Sequence, residues 1–396
     1  MTALGRAPER ILLGPGPSML PPSVRLSLAT PLVGHMDPTL FPILEDISAR
    51  LRETFQTSNE LTLAVSGTGT AGMEACVGHV LTSGDRIVVA AAGYFAQRIA
   101  ALARRAGADV TVIDAPWGQA VDPRDVAREL DRAPARAVAA VHVETSTGVV
   151  QPLADVARIA HDHDAVMLVD AVASLGGVDL PVDRWGIDVC YAGTQKCLSA
   201  PPGMAPVTIG RSARGRSREG GSFYLDLELL WRYWASPHTY HHTIPVPLVY
   251  ALHEALRLVG EEGLSVRFER HRRNAEALWA GLEAMGLVLL VSSDLRAPSV
   301  TTVTVPDGID EAKIRGRLLA EHDIEIAGGL GPLKGHIWRI GLMGYSSQPR
   351  YVRLLLAALE AILSDEGFRS PRGAAVDAAE PLLAGPTTEA RDPMRP

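Results

Sequence analysis

Lysine is scarce in this chain of 396 residues: of 38 lysine and arginine residues, only Lys196, Lys313 and Lys334 are lysines. A basic excess is also missing, because the formal net charge is −7 and the isoelectric point is about 6.0. A chain without surplus positive charge is poorly suited to neutralising rows of phosphates. We therefore expect neither nucleic acid nor an anionic membrane among its partners.

Cysteines and long apolar runs are few as well. The three cysteines, Cys76, Cys190 and Cys197, are odd in number and none forms a CxxC pair, which argues against a disulfide framework. No apolar stretch approaches the ~18 to 20 residues of a membrane-spanning helix. The first residues, MTALGRAPERILL, also lack the pattern of a secretory signal. These absences predict a cytoplasmic protein.

Short β-branched runs alternate with segments of helical apolar spacing, such as FAQRIAALARRAG. This alternation predicts an α/β fold with a mostly parallel sheet covered by helices on both faces. Ligands bind such sheets at the carboxyl ends of the strands, so the residues that follow each run are the first candidates for a site. The runs are LTLAV (61–65), RIVVA (86–90), DVTVI (109–113), AVAAVHV (137–143) and AVMLVD (165–170).

The first unusual strand end is SGTGT, at residues 66–70, which leads from LTLAV into a helical segment. Free backbone N–H groups at a helix N-terminus, together with the helix dipole, favour a phosphate group. The segment is neither a P-loop nor a GxGxxG fingerprint, and a tight turn without a ligand explains its glycines equally well. Phosphate binding is therefore one of two hypotheses for it.

Two ionisable residues mark the other unusual strand ends. Asp170 closes the run AVMLVD, and Lys196 lies in YAGTQKCLSAPPG, residues 191–203. A carboxylate at the end of a buried strand needs a cation or strong hydrogen-bond donors, although a helix cap or a turn would also explain an aspartate there. The separation of Asp170 and Lys196 leaves room for one short strand, so both side chains can face one cleft.

A lysine, a buried aspartate and a phosphate-binding turn together suit pyridoxal 5′-phosphate as a cofactor. Its aldehyde captures a lysine amine as a Schiff base, its pyridine nitrogen must stay protonated, and its phosphate needs an anion site. Asp170 is predicted to hold the pyridinium proton, and Lys196 to hold the aldehyde and to move the Cα proton of the substrate. Lys313 lies on an exposed-looking helix face and Lys334 in a glycine-rich loop, so neither competes with Lys196.

Eight segments, in this order along the chain, then carry a family resemblance. They are LLGPGPS, FQTSNELTLAVSGTGTAGMEA, HVETSTGVVQPL, LVDAVASLGG, GIDVCYAGTQKCLSAPPG, SFYLDLELLWRYW, TYHHTIPVPLVYALHEAL and DIEIAGGLGPLKGHIWRIGLMG. From about residue 11 to residue 365 the chain resembles the class V, fold type I pyridoxal phosphate aminotransferases, and among them the alanine:glyoxylate (serine:pyruvate) aminotransferases. The resemblance implies amino transfer from L-alanine or L-serine to glyoxylate.

The resemblance also implies the domain organisation. The expected architecture is PLP fold type I, with a seven-stranded, mostly parallel sheet between helices and a smaller C-terminal α+β domain. We expect an N-terminal arm (1–20), a large cofactor-binding domain (21–255) and a small domain (256–370). The tail (371–396) is rich in Pro and Ala and shows no periodicity, so we expect it to be disordered.

The family's pattern assigns roles to residues at both ends of the cofactor. Tyr94 stands where an aromatic ring, often Trp, stacks on the cofactor. Thr145 stands where Ser is frequent, near the ring oxygen, and Val172 packs against the opposite face. The cofactor-binding positions implied by the resemblance are Ser66, Gly67, Thr68, Tyr94, Thr145, Asp170, Val172, Gln195, Lys196, Tyr240 and Thr243.

Substrate binding and assembly follow from the same resemblance. Arg339 matches the arginine that clamps the substrate carboxylate, and its apolar flanks suggest that it needs an anion; Gly14 is a second substrate-binding position. Tyr240 and Thr243 match residues that reach the phosphate of the neighbouring subunit, which implies a homodimer with shared active sites. The small-molecule partners are then an amino acid and a 2-oxo acid.

Other interpretations remain open at this point. A cysteine desulfurase would need a cysteine well after the lysine, and Cys197 is the last one. A transaminase with a different amino donor shares the cofactor residues, and a catalytically silent dimeric scaffold shares the fold. His161 and His163 are better explained as an exposed helix end than as metal ligands, so no metal is expected. Cys197 is interpreted as a packing residue.

Overall fold

The computed structural model describes residues 8–214 and 221–384. The strands are β1 (Ile11–Leu12), β2 (Leu61–Ser66), β3 (Arg86–Ala91), β4 (Asp109–Asp114), β5 (Ala137–Val141), β6 (Val143–Glu144), β7 (Val149–Val150), β8 (Val166–Asp170), β9 (Val189–Tyr191), β10 (Met204–Ile209), β11 (Val300–Thr304), β12 (Ile324–Glu325), β13 (Ala327–Gly328) and β14 (Ile337–Gly341). The helices are α1 (Pro22–Ser27), α2 (Phe41–Phe55), α3 (Gly69–Val80), α4 (Tyr94–Arg105), α5 (Pro123–Arg132), α6 (Leu153–Asp162), α7 (Val182–Trp185), α8 (Leu227–Trp234), α9 (Val246–Glu262), α10 (Leu264–Ala284), α11 (Glu311–His322), α12 (Pro349–Asp365) and α13 (Ala374–Leu383).

A seven-stranded sheet with the strand order β2-β10-β9-β8-β5-β3-β4 forms the centre of the fold. Strand β10 runs antiparallel to both of its neighbours, and the other pairs are parallel. Every residue of β2, β5, β8, β9 and β10 is buried, because helices cover both faces. The predicted fold class and the five predicted strands are confirmed.

The parallel strands bring the predicted site residues to one edge of this sheet. Asp170 ends β8, and its neighbour in the sheet, Tyr191, ends β9 directly before the lysine loop. Strand β2 lies on the other side of β10 and ends at Ser66, where the chain turns into α3. The carboxyl ends of three strands therefore surround one cleft.

A second, smaller sheet has the order β11-β14-β13 and is antiparallel. Its apolar side chains pack with those of α10 and α12 into a second core that includes Trp338 and Leu355. The predicted domain boundary at 255/256 falls inside α9, where Leu256 and Val259 still pack in the first core. Arg339 lies on β14, the central strand of the small sheet.

The N-terminal arm lies between the small sheet and the lysine loop. Strand β1 pairs in parallel with β12, and Leu13 is buried in the second core. The arm then passes so close to β14 that a Cβ at Gly341 would lie 2.2 Å from the carbonyl oxygen of Gly14. Only glycine at position 341 allows this approach, which brings Gly14 to the strand that carries Arg339.

The prediction of a disordered tail over 371–396 is wrong for residues 374–383, which form α13. Ala375, Ala379 and Leu383 are spaced four residues apart and are buried against the second core. The backbone N–H groups of Gly373 and Ala375 donate to the carboxylate of Glu360, which fixes the start of the helix. Residues 385–396 lie outside the described residues. In the described part of the chain, no helix is both long and apolar enough to span a membrane.

Candidate active site

Asp170 is a buried carboxyl group with unused acceptor capacity. It is 2% exposed, and its two oxygens accept one hydrogen bond each, from the backbone N–H of Val172 and from the Tyr191 hydroxyl, both at 2.8 Å. Burial raises its pKa from 3.8 to about 6, although the two hydrogen bonds oppose the shift. A carboxylate has about four acceptor positions, so half of them remain for a ligand.

Lys196 lies in the loop between β9 and β10 and is 9% exposed. Burial lowers its pKa to about 8, and the charge of Arg339 adds to the shift. Its Nζ donates a hydrogen bond to the carbonyl oxygen of Pro15 in the arm. A Cβ at Gly16 would displace the end of the Lys196 side chain, and the φ of +106° at this position is one that glycine favours.

The arm also holds the backbone of the lysine loop. The Ser18 hydroxyl donates to the carbonyl oxygen of Lys196 at 2.7 Å, and the Ser18 N–H donates to the carbonyl oxygen of Gln195 at 2.8 Å. Both contacts are buried, so they fix the loop from the side of the cleft. This clamp was not predictable from local patterns, because it joins residues about 180 positions apart.

The junction of β2 and α3 has the features of an anion site. The N–H groups of Thr68, Gly69 and Thr70 have no acceptor among the described residues. Gly67 has a φ of +149°, and a Cβ there would lie 2.5 Å from the Cβ of Ala71. The glycine at position 67 therefore allows the tight turn that points these donors into the cleft.

The side chains of Ser66 and Val172 lie at this junction, and that of Gln195 belongs to the lysine loop. The Gln195 carboxamide has a buried oxygen without a partner among the described residues. The Ser66 hydroxyl lies 2.7 Å from Nε2 of His242. Val172 lies next to this junction, because its Cγ2 is 3.0 Å from the position of a Cβ at Gly69. The structure thus brings Ser66 and Val172 to the same junction, and Gln195 lies in the lysine loop directly before Lys196.

Arg339 is 7% exposed and lies close enough to Lys196 to lower its pKa. Its Nε donates to the carbonyl oxygen of Gly328 at 2.7 Å and its Nη1 to that of Thr145 at 3.1 Å. Burial lowers the pKa of the guanidinium to about 10. The expectation that Arg339 needs an anion has to be refined, since two backbone carbonyls already hold it. Nη2 has no hydrogen-bond partner in residues 8–214 and 221–384.

Glu144 is a second buried carboxylate near the cleft, and sequence reasoning missed it. Its oxygens accept hydrogen bonds from the N–H groups of Phe95, Ala96 and Ser146 and from the Ser146 hydroxyl. It therefore caps α4, whose first residue is Tyr94. Burial raises the pKa of Glu144, and these hydrogen bonds oppose the shift.

Three predicted residues lie at the surface of the single chain. Tyr94 is 40% exposed, and the Arg98 guanidinium carbon lies 5.4 Å from its ring centroid. Tyr240 is 57% exposed beside His35, and Thr243 is exposed as well. Within the described residues, neither Tyr240 nor Thr243 forms a hydrogen bond to the β2–α3 junction. Exposure leaves both available to a second chain.

The cleft thus combines a lysine of lowered pKa, a buried carboxyl of raised pKa and an anion site, which fit the amine, pyridine and phosphate contacts of pyridoxal phosphate. The comparison with known families agrees: residues 30–348 match the model of the family "Aminotransferase class-V". This chain is a class V aminotransferase. Enzymes of this class generally depend on pyridoxal phosphate.

Several known proteins are similar to this class V aminotransferase over nearly their whole length. The (S)-ureidoglycine–glyoxylate transaminase of Bacillus subtilis is 41% identical over 94% of this chain and 95% of its own. The alanine–glyoxylate aminotransferase of Callithrix jacchus is 40% identical over 90% of this chain and 88% of its own. The crystal structure of an alanine–glyoxylate aminotransferase from Nostoc sp. has a TM-score of 0.89 at 44% identity, covering 92% of this chain and 97% of that one.

The structure also shows the surroundings of three residues for which the sequence predicted no catalytic role. Cys197 is fully buried, and burial raises the pKa of its thiol to about 11, so it packs as an unreactive side chain. His161 and His163 lie at the end of α6 and bind Asp188 and Asp131 respectively. Among the described residues, no cluster suited to a metal ion occurs.

Proposed function

We propose that this aminotransferase binds pyridoxal 5′-phosphate and transfers the amino group of L-alanine or L-serine to glyoxylate. The products are pyruvate or hydroxypyruvate, and glycine. The observation that carries the proposal is the arrangement of Lys196, Asp170 and the β2–α3 junction around one cleft, each with unused bonding capacity.

The cofactor, when bound, supplies an aldehyde that condenses with amines and a protonated pyridine ring that accepts an electron pair. Asp170 has two acceptor positions left after Tyr191 and Val172, and its burial strengthens a charge-assisted hydrogen bond to a cation. We assign it to the ring nitrogen. Its own pKa of about 6 is expected to fall once a positive charge lies against it.

Lys196 is assigned two tasks, to hold the aldehyde carbon at rest and to move the proton at the substrate Cα. With a pKa of about 8, its amine is neutral in about a tenth of molecules at pH 7 and in about half at pH 8. Nζ can therefore accept the Cα proton and return it. The arm holds both the loop backbone, through Ser18, and the amine itself, through Pro15.

The phosphate is assigned to the β2–α3 junction. The N–H groups of Thr68 and Gly69 lie there without an acceptor, and we assign the Ser66 hydroxyl, the Gly67 backbone and the donating amide nitrogen of Gln195 to the same phosphate. The exposed Tyr240 and Thr243 are assigned to the phosphate of a second subunit, so the proposal includes a homodimer. Tyr94, Thr145 and Val172 are assigned to the two faces and the edge of the ring.

The substrate carboxylate is assigned to Arg339. Two backbone carbonyls orient its guanidinium, and Nη2 remains for an anion. Gly14 lies beside the same strand, where the absence of a side chain leaves room for a small acid.

Glyoxylate as the amino-group acceptor is better supported than any one amino-group donor. The Bacillus subtilis and Callithrix jacchus relatives differ by one percentage point in identity, and their names share glyoxylate but differ in the amino donor. A transaminase that uses (S)-ureidoglycine is therefore the alternative to be tested beside L-alanine and L-serine.

The test is the visible absorbance of the purified protein after incubation with pyridoxal phosphate. We expect a yellow protein that bleaches with L-alanine and recovers its colour with glyoxylate, which demonstrates both halves of the transfer. The variant Lys196→Ala is expected to lose the response, whereas Lys334→Ala, with its lysine outside the cleft, retains it. Bleaching by (S)-ureidoglycine but not by alanine or serine would replace the donor, and a protein that takes up no pyridoxal phosphate would contradict the proposal.

A further inference from the structure

A chain of hydrogen bonds leads from the proposed phosphate site to the loop that precedes α8. Ser66 Oγ lies 2.7 Å from Nε2 of His242, and Nδ1 of His242 lies 2.9 Å from Nδ1 of His241. Nε2 of His241 lies 3.0 Å from the carbonyl oxygen of Phe223. Neither the family resemblance nor the proposed roles use these two histidines.

The carbonyl oxygen at the far end sets the direction of the whole chain. A carbonyl only accepts, so Nε2 of His241 must carry a proton, and in the neutral ring Nδ1 is then an acceptor. Nδ1 of His242 must therefore donate, which leaves Nε2 of His242 as an acceptor. In the neutral state the Ser66 hydroxyl is consequently turned towards His242 and offers only lone pairs to the cleft.

The oxygens of a phosphate accept hydrogen bonds, so a Ser66 hydroxyl that donates to His242 cannot also donate to a phosphate. If the Ser66 hydroxyl turns to donate to a phosphate oxygen, its oxygen faces the lone pair of His242. A tautomer change in both histidines would relieve this contact but would place two acceptors, Nε2 of His241 and the Phe223 carbonyl, against each other. One additional proton on His242 keeps all three hydrogen bonds and frees the Ser66 hydroxyl.

We infer that His242 is a positioning residue whose protonation turns the Ser66 hydroxyl towards a bound phosphate monoester, so that binding takes up a proton at the histidine pair. This inference rests on the proposed cofactor site. The proton on His242 would let the site bind a phosphate dianion, and the affinity for phosphate should therefore fall as pH rises.

The surroundings of His242 explain why the proton arrives only with the ligand. Burial, with smaller contributions from the charges of His241 and His35, lowers the pKa of His242 to about 4. The rings of Tyr224 and Tyr233 lie edge-on at 5.2 and 5.9 Å between centroids. These surroundings leave His242 neutral near pH 7, and the negative charge of a phosphate dianion offsets the cost of protonating it.

The test measures proton uptake when the cofactor-free protein binds pyridoxine 5′-phosphate, which has no aldehyde and forms no bond to Lys196. Calorimetric titrations at pH 8, in two buffers of different ionisation enthalpy, give the number of protons bound. Wild type is expected to take up more protons than His242→Gln, by up to about one per site, because the glutamine amide donates to Ser66 without titrating. From pH 7.5 to pH 9 the wild-type affinity should fall by up to about tenfold per pH unit more than that of the variant.

The matched control is His79→Gln. His79 is also buried and binds a carbonyl oxygen, that of Ala213, but it lies at the opposite end of α3 from the phosphate site. This variant should take up as many protons as wild type. If His242→Gln does not fold, His241→Gln gives the same comparison: the amide nitrogen carries two hydrogens and can donate to both the Phe223 carbonyl and Nδ1 of His242, so His242 can change tautomer without a proton.

Equal proton uptake by wild type and the His242→Gln or His241→Gln variant overturns this inference and leaves the cofactor proposal standing. Failure of the wild-type protein to bind the ligand at all overturns both.

Discussion

Two buried carboxyl groups differ in what they bind: Asp170 ends β8 of the central sheet, and Glu144 ends β6, the short strand that follows β5. Glu144 meets only donors from its own chain, on both oxygens, and so caps α4. Asp170 is equally buried, yet it accepts only two hydrogen bonds. Burial raises the pKa of both groups, so neither burial nor pKa distinguishes a structural carboxylate from a reactive one. The unused acceptor positions of Asp170 make the distinction.

The comparison predicts opposite outcomes for isosteric amide substitutions. Asp170→Asn should lower kcat by about 10²- to 10⁴-fold, because an amide cannot stabilise a positive charge on the pyridine nitrogen. The fold should persist, since the amide oxygen can accept from Val172 and the Tyr191 hydroxyl can accept from the amide nitrogen. Steady-state kinetics with alanine and glyoxylate, beside thermal unfolding, separate the two effects. A variant with nearly full kcat would contradict the role of Asp170.

The buried charge of Asp170 also has a consequence for stability in the cofactor-free protein. Its raised pKa means that the folded state binds the proton more tightly than the unfolded state, so the stability it contributes is present below pH 3.8 and is lost as pH rises through about 6. Relative to wild type, Asp170→Asn should therefore gain roughly 2 kcal/mol of unfolding free energy between pH 4 and pH 7. Urea denaturation at both pH values measures this gain. A difference independent of pH would contradict the assigned cause.

Glu144→Gln should instead lower the stability of the fold and leave the activity nearly unchanged. Its new amide hydrogens would face N–H groups of Phe95 and Ala96 or of Ser146, and a buried donor without an acceptor costs about 1–3 kcal/mol. The free energy of unfolding should fall by that amount, while activity per folded molecule stays close to that of wild type. Loss of activity larger than that of Asp170→Asn would remove the distinction between the two carboxylates.

The smallest effect is expected for Tyr191→Phe, which removes the hydroxyl that binds Asp170. The carboxylate keeps its bond to the Val172 N–H, so kcat should fall by less than about tenfold. Measurement of kcat and KM with alanine tests this expectation. The suitable control is Tyr233→Phe, whose hydroxyl binds the carbonyl oxygen of His35 instead.

Most of the fold and the centre of the site were predictable from local patterns. The alternation of β-branched runs and helical segments identified five of the seven strands of the sheet, but not β9 and β10, and the expected parallel arrangement placed Asp170 and Lys196 at one edge. The clamp of Pro15 and Ser18 on the lysine loop was not predictable, because nothing local couples residues so far apart in the chain. The helix α13 was missed because small alanines at 375 and 379 carry its buried face.

The hydrogen-bond partners of the site residues were the hardest feature to predict from the sequence. Arg339 was recognised as a buried arginine, but its two carbonyl acceptors come from β13 and from the segment after β6. The capping role of Glu144 and the link between Ser66 and His242 depend equally on tertiary contacts. Spacing along the chain predicts which strand end a residue occupies, and only the folded structure shows which of its hydrogen-bonding positions are already taken.

The most direct test of the central claim is reduction of the pyridoxal phosphate-loaded protein with borohydride, followed by peptide mass spectrometry. The claim is that the buried amine of Lys196 holds the cofactor. The expected result is a phosphopyridoxyl group on the peptide that contains Lys196, with Lys313 and Lys334 unmodified. A modified Lys334 or Lys313 with an unmodified Lys196 would contradict the assignment of the site.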